Sequence, residues 1–253
     1  MLKTRVIPCL LLKDRGLVKT VNFKHPKYVG DPINAVKIFN EKEVDELIFL
    51  DINASIKRDK PDFKMIADIA SECFMPLCYG GGVRTIEDIK TIFHIGVEKV
   101  AVNTYAIENP GFVKEAADIF GSQSIIVSID IRKSFLGKYE VFTHNGSKNT
   151  KLDPVKWAII MQELGAGELM INSIELDGSM KGYDIELMQR VSSAVSIPVI
   201  ACGGAGSIND FTQVVLNGGA SAVAAGSLFV FKGKHRAVLI NYPNRKDLEA
   251  ILP

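Results

Sequence analysis

Gly81-Gly82-Val83-Arg84-Thr85-Ile86-Glu87-Asp88 returns in outline as Gly203-Gly204-Ala205-Gly206-Ser207-Ile208-Asn209-Asp210, 122 positions further along the chain. The same offset carries Gly96 onto Gly218 and Thr104 onto Gly226. In each copy an apolar run ends in a glycine pair, which permits unusual backbone angles and close approach of a ligand. A Thr or Ser then stands where it can cap a helix, with Asp at the third helical position. A hydrophobic helical stretch, a glycine stop and a second short apolar run complete a β-loop-α-β module written twice. Backbone N–H groups exposed by glycine at a helix start form an anion site. Two modules therefore predict two phosphates, held by Gly81, Gly82, Asn103 and Thr104 in the first copy and by Gly178, Gly203, Gly204, Gly226 and Ser227 in the second.

Eight short apolar runs read as strands buried on both faces, as in a parallel sheet. They lie near residues 5–11, 46–51, 76–79, 99–103, 124–130, 168–172, 198–201 and 220–225. Helical patterns alternate with them, and Asp31-Pro32, Asn109-Pro110 and Asp153-Pro154 each place a capping side chain before a proline at the first helical position. Eight such alternations in 253 residues predict one closed α/β barrel, a (β/α)8 TIM barrel with half-barrels at about residues 1–120 and 121–253. After Phe231 the sequence Lys232-Gly233-Lys234-His235-Arg236 leaves room only for an abbreviated or irregular eighth helix.

With a net charge of +1 and mixed signs along the chain, nothing points to a nucleic-acid groove or an anionic membrane surface. No stretch is apolar for long enough to span a bilayer, and Met1–Arg5 lacks the features of a secretory signal, so a cytoplasmic location is expected. Cys9 and Cys202 read as small buried hydrophobes. Cys73 and Cys78 lack a nearby histidine, and the four histidines are scattered, so neither a metal nor another cofactor is expected.

In a barrel of this kind catalytic groups project from the C-terminal ends of the strands. Asp51, Asn103, Asp130 and the segment from Asn172 to Asp177 occupy such positions. Asp130 follows the run Ile125-Ile126-Val127-Ser128-Ile129, and burial there would raise its pKa toward the range useful for proton transfer.

Gly80-Gly81-Gly82, Val102-Asn103-Thr104, Phe120-Gly121-Ser122-Gln123, Asp130, Gly167-Glu168, Asp177-Gly178 and Gly203-Gly204-Ala205-Gly206 together resemble the cyclase subunit of imidazole glycerol phosphate synthase. The likeness runs from Arg5 to about Phe231. The related phosphoribosyl isomerase shares the half-barrel repeat, but the Phe120–Gln123 and Gly80–Gly82 contexts are more similar to the cyclase.

That resemblance implies an enzyme subunit that receives ammonia from a separate glutaminase subunit docked at the N-terminal face of the barrel. At the other face a bisphosphate substrate is cleaved and cyclised. It implies Asp130, Asp51, Asp177 and Lys19 as catalytic-site residues, with Lys19 on a mobile loop after the first strand. Arg5, Glu46, Lys99 and Glu168 match a charged ring where ammonia enters. No G-x-C-x-G nucleophile turn with a downstream His-Glu pair occurs in this sequence, so glutamine hydrolysis requires another chain.

One position departs from the cyclase pattern. Leu11 stands where the family carries an aspartate that pairs across the barrel with Asp130. Asp14, three residues on, is the nearest substitute and would have to fold back over the site. The segment Ile7-Pro8-Cys9-Leu10-Leu11-Leu12-Lys13-Asp14-Arg15-Gly16 resembles a branch associated with bacterial surface-sugar biosynthesis. Membership would imply partnership with a glutaminase and with a sugar amidotransferase that installs an acetamidino group on an N-acetylated sugar. The alternative is an authentic cyclase of histidine synthesis.

Overall fold

The computed structural model describes residues 4–252. Eight parallel strands close on themselves: β1 (Arg5–Lys13), β2 (Leu47–Asp51), β3 (Leu77–Gly80), β4 (Lys99–Val102), β5 (Ile125–Lys133), β6 (Glu168–Ser173), β7 (Val199–Cys202) and β8 (Ala222–Ala225). Each pairs with the next, and β8 pairs with β1 through Arg5↔Ala222 and Ile7↔Ala224. From Glu168 the register climbs through Ile126, Ala101, Gly80 and Leu50 to Leu11. Starting instead from Met170, two residues further along β6, it passes through Ile200 and Ala222 to Arg5. One circuit thus displaces the register by eight residues, the shear of a (β/α)8 barrel. The chain has the predicted fold.

The helices that cover the barrel are α1 (Pro32–Glu41), α2 (Phe63–Ala70), α3 (Ile86–Ile95), α4 (Gly111–Phe120), α5 (Pro154–Glu163), α6 (Ile185–Ser192), α7 (Ile208–Gly218) and α8 (Arg245–Ile251). Their starts follow local chemistry. Asp31 accepts from the Asn34 N–H and Asp153 from those of Val155 and Lys156, each before a proline in the first turn. Thr85 and Asp88 form a reciprocal capping box, and Asp210 accepts from the Ser207 and Gly206 N–H groups. The Asn109-Pro110 expectation is corrected. The Asn109 side chain caps nothing; its backbone closes the short helix Thr104–Glu108, and Pro110 is the residue before α4.

Two strands run past their expected ends because hairpins extend them. β1 continues to Lys13 because Gly16–Val21 folds back on it, pairing Leu11 with Val18, and Lys24–Gly30 adds a further antiparallel strand. β5 continues to Lys133 because Tyr139–Thr143 pairs with it from Asp130↔Phe142 onward. Asp130 therefore lies within a strand, at the point where parallel barrel pairing gives way to a hairpin. Both hairpins rise from the C-terminal face and wall the mouth of the barrel.

Two apolar cores result. The larger lies between strands and helices; the smaller fills the barrel with Ile7, Ile48, Cys78, Ala101, Ile126, Met170, Ile200 and Ala222, topped by Cys9, Cys202 and Ala224. The C-terminal segment is irregular, as expected, yet it still closes the barrel. A two-residue hairpin, Phe231–Lys232 with Ala237–Val238, precedes α8. Tyr242 stacks near Phe229 and donates to the Val6 carbonyl at 2.8 Å.

Candidate active site

The C-terminal ends of the strands surround one large cavity, and every catalytic and phosphate-binding position named from the sequence lines it. Asp130 sits deepest among the carboxylates. Asn103 donates to its Oδ2 at 2.9 Å, and Asn172, its register partner on β6, donates weakly to Oδ1 at 3.4 Å. Burial, reinforced by the nearby Asp177 charge, pushes the Asp130 carboxyl up to about 7, against the pull of the two amide bonds. A carboxyl near 7 can give or take a proton at neutral pH. The amide oxygens of Asn103 and Asn172 are buried with no hydrogen-bond partner, so the site keeps two unused acceptors.

Leu11 lines the same cavity, paired with Leu50 on β2 and Val18 on the hairpin. No carboxylate replaces it from the loop. Asp14 is exposed, in a left-handed turn, with Oδ1 3.0 Å from Lys57 Nζ. Asp14 thus lies outside the cavity lining and does not fold back to replace the missing carboxylate.

Asp51 accepts from the Asn53 and Ala54 N–H groups, so it caps the short helix Ala54–Lys57 while facing the cavity. Burial raises its pKa, and the two backbone donors oppose the rise. Asp177 accepts the Thr20 hydroxyl at 2.7 Å, tying the loop after β6 to the hairpin after β1. Lys19 lies in a strand of that hairpin, Gly16–Val21, where an irregular loop was expected. Its side chain turns inward, 5% exposed, with its ammonium against Gly226.

The glycine pairs occupy backbone conformations that exclude side chains. Gly81 and Gly82 have φ of 122° and 73°, Gly203 and Gly204 of 84° and 116°. A methyl on Gly204 would lie 2.0 Å from the Gly182 carbonyl. Each pair is completed by a short helix on the next strand's loop, Thr104–Glu108 or Ser227–Val230. Each pair and its helix thus line the cavity wall together, and glycine-rich turns of this kind can direct backbone N–H groups at an anion.

At the opposite end of the barrel, Arg5, Glu46, Lys99 and Glu168 meet in one closed ring. Arg5 donates to Glu46 and, at 2.7 Å, to Glu168; Lys99 reaches Glu168 at 2.8 Å and Glu46 at 3.1 Å. Burial pushes the Glu168 pKa up, but the bonds from Arg5 and Lys99 win and hold it below its ordinary value. Four residues far apart in sequence thus form an alternating-charge floor beneath an apolar interior. Among the described residues, no group of three or more His, Cys, Asp or Glu is placed to hold a metal, and no helix is long and apolar enough to cross a membrane.

Several lining residues carry no signal strong enough to find from the sequence. Arg58 and Arg84 stand beside the first glycine pair, with Arg84 held by the Arg58 and Asp59 carbonyls. His144 and Asn145 reach the cavity from the hairpin after β5, in consecutive left-handed conformations. Long-range return of a hairpin tip leaves no periodic trace in its residues.

The chain belongs to the family described as histidine biosynthesis protein, which matches residues 5–236. It is 57% identical over 249 residues, 98% of this chain and 99% of the relative, to a Pseudomonas aeruginosa protein provisionally named imidazole glycerol phosphate synthase subunit hisF2. A Leptospira interrogans protein provisionally named as the HisF subunit is 51% identical over 255 residues, covering 99% of both chains. A Vibrio vulnificus protein, provisionally named subunit hisF3, is 49% identical over 253 residues, 100% of this chain and 97% of the relative.

Proposed function

We propose that this chain is the synthase-type subunit of a glutamine-dependent amidotransferase and takes ammonia from a separate glutaminase. In this reading it serves acetamidino formation on an N-acetylated sugar of surface polysaccharide, together with a sugar amidotransferase, and does not close the imidazole ring of histidine synthesis. The two numbered names among its relatives, hisF2 and hisF3, agree with a chain that stands beside a histidine enzyme. The two halves of the barrel are read as copies of one module, each with a left-handed glycine pair and a helix-capping aspartate.

The observation that carries this reading is Leu11. Ring closure of the cyclase kind calls for a general acid and a general base, and each typically supplies ~10²–10⁴ in rate. Asp130 is present and tuned to about 7, but hydrocarbon occupies the position of its partner, and Asp14 lies outside the cavity beside Lys57. What remains intact is the conduit. Neutral ammonia released beneath the Arg5/Glu46/Lys99/Glu168 ring would pass through it into the layer of Ile7, Ile48, Ile126, Met170 and Ile200. That layer favours ammonia over ammonium, because burying an unpaired charge is costly. Lys99, the smallest cation of the ring, is the group whose displacement opens the floor. The glycine pairs with Asn103, Thr104, Gly178, Gly226 and Ser227 would seat the anionic ends of a phosphorylated ligand.

The competing reading, an authentic cyclase, is favoured by the retained Asp130, Asp51 and Asp177 and by both glycine pairs. Complementation of a histidine auxotroph that lacks the cyclase separates the two. No growth is expected with the wild-type chain, and growth is expected after Leu11→Asp. Growth supported by the wild-type chain would refute sugar amidation as the sole role.

A further inference from the structure

The chain has eight arginines, and Arg5, Arg15, Arg132, Arg190 and Arg245 are each paired with a carboxylate. Among the described residues, Arg58, Arg84 and Arg236 have no carboxylate partner. The first two flank the first glycine pair. Arg236 comes from the C-terminal hairpin, outside both copies of the repeated module, and reaches the second.

Its guanidinium lies 4.7 Å from the centre of the Phe231 ring and donates through Nη2 to the Gly178 carbonyl at 3.0 Å and, more loosely, to Ser227 Oγ at 3.4 Å. Gly178 and Ser227 line the cavity on two different loops, after β6 and after β8. The Arg236 backbone is left-handed, φ 49°, in a turn closed by its N–H on the Gly233 carbonyl. That conformation is unfavourable for a side-chain-bearing residue and persists only where surrounding contacts demand it.

We propose that Arg236 is a positioning residue for an anion in the second glycine cradle. It bridges the loop after β6 to the turn after β8 and adds a positive charge that no carboxylate cancels. By occupying an Oγ lone pair, it also leaves the Ser227 hydroxyl proton free to donate into the cavity. A hydroxyl has one proton and two lone pairs, and Ser227 donates to no other group among the described residues. Both of its acceptors, Gly178 and Ser227, belong to the cavity wall, so the guanidinium charge lies directly behind that wall, where it favours an anion on the other side. This rests on the reading that the cradle takes a phosphate group.

The test is a titration of the full chain with inorganic phosphate, followed by the backbone amide NMR shifts of Gly203 and Gly204 for the second cradle and of Gly81 and Gly82 for the first. Arg236→Met, which keeps the stem on Phe231, is expected to weaken phosphate at Gly203/Gly204 about tenfold, the equivalent of ~1.4 kcal/mol. The dissociation constant at Gly81/Gly82 should stay unchanged. Arg236→Lys should recover most of the affinity, which a purely structural role would not predict, since lysine cannot span both acceptors. Equal affinity of wild type and Arg236→Met at Gly203/Gly204 would overturn the assignment while leaving the phosphate reading in place. A wild-type chain that binds phosphate at neither pair would overturn both.

Discussion

The Nδ2 of Asn103 donates to Asp130 Oδ2 at 2.9 Å, so a neutral amide stands where a lysine or arginine would have neutralised the buried carboxylate. Dipoles cannot repay the full cost of desolvating a charge. The Asp130 carboxyl accordingly rises from 3.8 to about 7, first through burial and then through repulsion from Asp177. The folded-state value lies above that of the unfolded chain, so its protonated form favours folding. That contribution is whole below the unfolded value and is lost as pH rises through about 7.

Asp130→Asn should therefore gain stability relative to wild type as pH climbs. The gap between the two proteins should widen by up to roughly 4 kcal/mol between about pH 4 and pH 8. Urea unfolding midpoints measured across that range check it. A gap that stays constant with pH would mean that Asp130 is ionised normally.

Glycine at 204 is demanded twice, by φ 116° and by the Gly182 carbonyl 2.0 Å from where a methyl would sit. Gly204→Ala should cost at least ~3 kcal/mol, because backbone of the Gly182 loop must move. Gly96 has φ 109° but open space around it, so Gly96→Ala should cost only ~1 kcal/mol. Thermal unfolding of the two variants side by side separates steric demand from backbone conformation alone.

The difference between those two glycines also marks what a sequence displays. The repeat at 81–88 and 203–210, the eight apolar runs and the capping aspartates are local patterns, and the barrel follows from them. The two hairpins are concealed: Gly16-Leu17-Val18-Lys19-Thr20-Val21 reads apolar, apolar, polar, polar, apolar after its glycine and shows no two-residue period. Their strands add to the ends of β1 and β5, which read as complete strands already. The ring of Arg5, Glu46, Lys99 and Glu168 was legible only as four charges at strand starts, through resemblance, since closure of the sheet is what brings them within bonding distance. Arg58, Arg84 and Arg236 leave no mark at all, because their role depends on where a loop returns.

Glu168 presents the opposite linkage from Asp130. Burial raises its pKa, but bonds from Arg5 and Lys99 more than offset this and depress the folded-state value. Its contribution is whole above the unfolded-chain pKa of about 4.3 and is lost as pH falls through the depressed folded value. Glu168→Gln should be destabilised by roughly 3 kcal/mol at neutral pH, because Arg5 and Lys99 lose one of their two carboxylates. The deficit should shrink in acid, and denaturant midpoints from neutral pH downward would show it. A deficit of equal size in acid would indicate that packing, and not charge, is what Glu168 supplies.

Lys99 offers the sharpest test of the proposed ammonia conduit, because its ammonium lies between Glu46 and Glu168, at 3.1 and 2.8 Å, and completes the ring. Lys99→Met keeps the stem and removes the charge, leaving Arg5 to hold both carboxylates. In the complex with the glutaminase, product formed per glutamine hydrolysed should fall about tenfold, as expected if ~1.4 kcal/mol of gating is lost. Synthesis driven by added ammonium salt should change less than about twofold, since ammonia from solution can reach the cavity through its open mouth and need not cross the floor. Equal loss with glutamine and with ammonium salt would place the defect in the cavity. Unchanged coupling in both assays would mean that ammonia reaches the site by another path.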